Sequence, residues 1–60
     1  MSLMTVAEVA EFLGVQAGRI ERLARERLLP AAEHDENGSP LFEKDAVENY
    51  RVIAERLGGI

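Results

Sequence analysis

Cysteine is absent from this chain of 60 residues, and so is tryptophan. Without thiols there is no disulfide, no thiolate nucleophile and no cysteine-ligated zinc site. Such a composition suits a reducing compartment, and a cytosol is expected. Only three aromatic residues occur, Phe12, Phe42 and Tyr50, and they read as core material rather than as a platform for stacking bases. No apolar run approaches the ~20 residues that cross a bilayer, and no signal peptide opens the sequence. Membranes are therefore excluded as partners.

Histidine is nearly absent too. The single one, His34, stands beside Glu33, Asp35 and Glu36, a grouping that superficially resembles a metal or acid–base cluster. Adjacent residues of a strand point alternately to opposite faces, so they do not converge on an ion. His34 also has no serine or cysteine partner to activate. Gly58-Gly59 lacks the strand and helix that frame a phosphate loop. The expectation is a solvated loop, with no metal, no cofactor and no enzymatic activity.

Length allows one small domain, residues 1–60, and no second. A domain of this size buries only about 60% of its unfolded surface, which limits its net stability to roughly 3–5 kcal/mol. Met1 and Met4 offer two alternative starts, so the first three residues are expected to lie outside the fold.

Eleven acidic against seven basic residues give a net charge of −4. An acidic total argues against nucleic acid as a partner, because phosphate contacts need positive charge. The distribution argues the other way. Arg19, Arg22, Arg25 and Arg27 fall between residues 16 and 28, opposed only by Glu21 and Glu26, while residues 29–48 carry Glu33, Asp35, Glu36, Glu43, Asp45 and Glu48 against Lys44 alone. Such asymmetry speaks of partners rather than of fold.

Thr5-Val6-Ala7-Glu8 has the form of a capping box. Val6, Val9, Ala10 and Leu13 follow at helical spacing, and Gly14 supplies a left-handed stop. A helix over 6–13 is expected. A second pattern runs from Ala17 to Leu28, with Ile20, Leu23, Ala24 and Arg27 or Leu28 as its apolar stripe. Its opposite face centres on Gly18, Arg22 and Arg25. Two helices joined by Gly14-Val15-Gln16 must cross steeply, as in a helix-turn-helix.

Leu29-Pro30 is expected to stop the second helix. Asn37-Gly38 predicts a two-residue hairpin turn, since both residues accept positive φ. Strands are expected over 31–35 and 39–42, with Pro40 confined to an edge or a bulge. A third helix follows Asp45-Ala46-Val47-Glu48, with Val47, Tyr50, Ile53, Ala54 and Leu57 along one stripe and Gly58-Gly59 at its end.

Arginine forks can address phosphate oxygens or the edge of guanine, an exposed helix fits the major groove, and Gly18 would let the helix backbone approach closely. From charge pattern alone, a DNA-reading face and an ordinary solvated face stand equal. The order of elements favours DNA reading.

Several motifs fall in one order. Thr5, Glu8, Val9, Ala10, Leu13, Gly14 and Val15 match T-x-x-E-V-A-x-x-L-G-V. After them come Arg22, Leu23, Arg25, Glu26, Leu29 and Pro30, then Asn37-Gly38, Phe42, Asp45, Ala46 and Val47. From Met4 to about Ile53 the chain resembles the small winged-helix modules of phage excisionases and MerR-type regulators, and its brevity favours the excisionases. That resemblance implies a mainly α fold with a small β-hairpin: a winged helix-turn-helix of three helices plus a wing.

It further implies double-stranded DNA as partner, in a bacterial host cytosol. Helix 2 would enter the major groove with Gln16, Ala17, Gly18, Arg19, Arg22 and Arg25. The wing tip, Asn37, Gly38 and Ser39, would reach a minor groove, and Thr5 would place helix-start amides against a phosphate. Excisionases of this type are thought to bind cooperatively and bend an attachment site for a tyrosine or serine integrase. Family wings usually carry Arg or Lys, whereas this one carries Glu33, Asp35 and Glu36. Such a wing is expected to bind weakly, sit off the DNA or touch protein instead, and head-to-tail self-association on DNA, acidic wing against arginine face, is the hypothesis this suggests. A transcriptional regulator of the same fold and a protein-interaction module without DNA binding are the alternatives.

Overall fold

A computed structural model describes residues 2–58. In chain order the elements are β1 (Leu3–Met4), α1 (Val6–Leu13), α2 (Ala17–Arg25), β2 (Glu33–His34), β3 (Pro40–Glu43) and α3 (Lys44–Arg56). The expected winged helix-turn-helix is present, with three helices and a three-stranded antiparallel sheet in the order β1-β3-β2.

The capping box forms as expected. The Glu8 amide donates to Thr5 Oγ1 at 3.2 Å, and the Thr5 amide donates to Glu8 Oε1 at 2.9 Å. At its other end α1 closes on Gly14, at φ 73°. There the Val15 amide donates to the Ala10 carbonyl (3.0 Å) and the Gly14 amide to Glu11 (3.3 Å), the paired bonds of a Schellman motif.

Five expectations are corrected. Residues 2–4 belong to the fold: Leu3 and Met4 pair with Glu43 and Phe42, and the Lys44 amide donates to the Ser2 carbonyl. Helix 2 stops at Arg25, not Leu28. Arg27 adopts φ 60°, the Leu28 amide donates to Leu23 and the Arg27 amide to Ala24, so a second Schellman turn ends this helix before Pro30 can. That turn carries Leu29 into the core and leaves Arg27 and Leu28 exposed, so neither belongs to the apolar stripe.

The wing turn is longer than two residues. The Gly38 amide donates to the Asp35 carbonyl and the Asp35 amide to the Ser39 carbonyl. Of Asn37 and Gly38 only the glycine has positive φ, the pattern of a type I turn closed by a left-handed residue. Finally, Ile53 and Leu57 are exposed although Ala54 between them is buried: Ile53 lies off the inward stripe of Val47, Tyr50 and Ala54, and Leu57 follows the last helical residue. Gly59, expected at the end of this helix, lies outside the described residues.

The core takes Val9, Ala10 and Leu13 from α1, Ile20 and Leu23 from α2, then Leu29, Phe42 of β3 and Val47 of α3. Phe42 is completely buried and Tyr50 packs half-buried at the rim. Pro40 pairs with His34, on the part of β3 that extends past β1. The Ser39 and Leu41 carbonyls accept amides from the β2 side, so the alternation of a strand turns the missing Pro40 amide toward the open edge.

Candidate nucleic-acid interface

The corner at Gly14-Val15-Gln16 sets the site. α1 and α2 pack through Val9, Ala10 and Leu13 against Ile20 and Leu23, which fixes one side of α2 inward and leaves the other outward. Gln16, Ala17, Gly18, Arg19, Arg22 and Arg25 are all exposed there. The structure thus leaves all six exposed, with Gln16, Gly18, Arg19 and Arg22 along one flank of α2 and Arg25 along another.

Two shallow clefts flank α2. One lies toward α3 and is lined by Gln16, Gly18, Arg19, Arg22, Leu28 and Tyr50. The other lies toward the wing, where Arg25 and Arg27 face Pro30, His34 and Pro40. Arg27 was not among the expected site residues. Its signal was the arginine run itself, discounted because residue 27 was assigned to the helix's apolar stripe.

Arg22 is the one arginine of α2 with an ion partner among the described residues. Its Nε lies 3.2 Å from Glu26 Oε2, with 72% of the arginine side chain exposed. An exposed pair of this kind is worth about 0–1 kcal/mol. A bidentate contact to a base is worth roughly 1–3 kcal/mol, so Glu26 orients Arg22 without holding it back.

The start of α2 is open. Gln16 makes no side-chain cap, and no acidic residue lies in the first turn. The start of α1 differs, because Thr5 and Glu8 satisfy each other there. Thr5, expected against a phosphate, thus has its hydroxyl and amide engaged, with a carboxylate of the chain at that helix start.

Asn37, Gly38 and Ser39 are exposed at the wing tip. Asp35 Oδ1 accepts the Asn37 amide at 2.8 Å and the Ser39 amide at 2.9 Å. This acidic residue therefore shapes the turn, and among the described residues Glu33 and Glu36 are the wing carboxylates without such bonds. Among the described residues no group of three His, Asp or Glu could hold a metal, and no helix is long and apolar enough to cross a membrane.

Comparison with known proteins places this geometry. No curated protein matches the chain. Among solved structures, it is similar to HiNmlR, a MerR family regulator lacking the sensor domain, whose crystal structure is bound to promoter DNA. The TM-score is 0.68 at 24% identity, covering 98% of this chain and 46% of that one. The likeness is one of fold, and this chain spans less than half the length of that regulator. A family model described as a helix-turn-helix domain matches residues 3–51, from β1 into α3, and the chain belongs to that family.

Proposed function

We propose that this chain binds double-stranded DNA by laying α2 in the major groove, with Gln16, Gly18, Arg19 and Arg22 toward base edges and the wing tip beside the backbone. It does so in a bacterial cytosol and without chemistry of its own. The observation that carries this reading is the outward placement of Arg19, Arg22 and Arg25 on a helix whose other side is locked into the core. Guanidinium forks on an exposed helix match guanine edges and phosphate oxygens. A gel shift on a duplex selected from a random pool tests it. Arg22→Ala is expected to lose about 1–3 kcal/mol on the selected sequence. Equal binding by the variant would show that α2 is not the reader, and no binding by the unsubstituted chain would favour a protein-interaction role.

The finer role is architectural and excisionase-like. Several copies bind side by side, bend an attachment site and direct a tyrosine or serine integrase toward excision. Support comes from the resemblance of residues 4–53 to excisionase modules and from the acidic wing, which complements the arginine face of a neighbouring copy. The second reading is a transcriptional regulator. It is favoured by the likeness to a regulator solved on promoter DNA.

A further inference from the structure

Two helix ends in this chain are built alike and filled differently. α1 closes with its left-handed residue at Gly14, and α2 closes through the same pair of backbone bonds with its left-handed residue at Arg27. That position favours glycine, because an L side chain there crowds the neighbouring carbonyl. Arg27 is the one non-glycine residue with positive φ among those described. The backbone needs the turn, since it delivers Leu29 to the core. It does not need an arginine to make it.

Among the described residues no charged or polar side chain pairs with Arg27. It is exposed and takes part in no side-chain hydrogen bond or ion pair among the described residues. It lines, with Arg25, an open cleft of about 590 Å³ between α2 and the base of the wing. His34 and Pro40 form the opposite wall, and Glu21 is the one carboxylate on the lining. Two guanidinium ions and an imidazole thus face a single opposing charge, beside prolines that offer no amide.

We infer that this cleft is a binding site for one phosphodiester of the DNA backbone, with Arg27 as its principal ligand and Arg25 and His34 as flanking donors. A residue of strained backbone whose exposed side chain makes no hydrogen bond or ion pair among the described residues points to a contact outside the protein. A phosphodiester fits because a guanidinium fork pairs with two oxygens of one anion. The site rests on the proposed binding of duplex DNA. It assigns to Arg27 a contact that positions the protein on any sequence, distinct from the base reading given to Arg22.

The experiment compares the unsubstituted chain with Arg27→Gly and Arg27→Lys on one selected and one unrelated duplex, over a range of salt concentrations, with thermal unfolding alongside. Arg27→Gly removes strain and charge together. It should unfold at the same or a higher temperature, yet bind both duplexes about tenfold more weakly, the order of one charge-assisted contact. Its dependence of log affinity on log salt should be shallower by about 1, and Arg27→Lys should restore the original slope. An unchanged slope in Arg27→Gly overturns the site whatever the unfolding temperature does. So does a loss confined to the selected duplex. Failure of the unsubstituted chain to bind any duplex defeats the DNA reading itself, and this site with it.

Discussion

Gly18 is the residue whose cost has no internal explanation. It lies within α2, and a Cβ built on it meets nothing within 4 Å. Glycine in a helix interior is about 0.5–1 kcal/mol less favourable than alanine, an upper bound for Gly18 in the first turn of α2. Gly18→Ala should therefore raise the unfolding temperature by several degrees, on the order of 4–8 °C per kcal/mol in a domain this small. Its DNA affinity should fall, because the added methyl holds the helix start away from the duplex. Melting curves and a gel shift on the same preparation measure both, and a variant that is more stable yet binds as before would remove Gly18 from the interface. Arg51 shows the contrary case of a cation explained from within, stacked 5.2 Å from the Phe12 ring centre and paired with Glu55.

Elements differ in how openly the sequence declares them. α1 could be placed to the residue, because Thr5, Glu8 and Gly14 each supply a local cap. The end of α2 could not, since its stop is a left-handed arginine and carries none of the usual signals. β1 is two residues long and exists only through its pairing with β3, a contact some forty positions away that no local pattern encodes. In α3 the helical spacing of Val47, Tyr50 and Ala54 points inward as read, but Ile53 falls at the edge of that stripe and Leu57 past the last helical residue, and both are exposed. The exposed face of α2, by contrast, followed directly from periodicity once Ile20 and Leu23 were taken as its inner side.

The wing belongs to this scale as well. Counting its carboxylates treats Asp35 as one more charge opposed to phosphate, whereas its Oδ1 binds two amides of the turn. Asp35→Ala should cost about 1 kcal/mol in urea unfolding, the size of a lost side-chain cap. Glu36→Gln, with no such bonds among the described residues, should leave stability unchanged within about 0.5 kcal/mol. Equal effects of the two substitutions would contradict the structural role of Asp35.

For the whole molecule, a net charge of −4 and an arginine-bearing face coexist because most of the cations cluster in residues 16–28 and most of the anions lie elsewhere, six of them in residues 29–48. DNA binding should accordingly show a modest salt dependence, with a slope of about −3 if three or four phosphates are neutralised. Complete insensitivity to salt would speak for a protein partner. If adjacent copies pair wing to arginine face, isotherms on a fragment with several sites should be steeper than on a single site, and fluorescence anisotropy on the two lengths compares them directly. Identical microscopic affinities would remove the self-association.

If neighbouring copies associate, the sheet is not what joins them. Its two outer strands are two residues each, and Pro40 leaves the uncovered stretch of β3 with no amide to offer at that position. A strand from a second molecule finds no ladder to extend. Were copies to crowd along one duplex, they would be left with contacts between surface side chains, which can come apart again, in place of a growing β-aggregate.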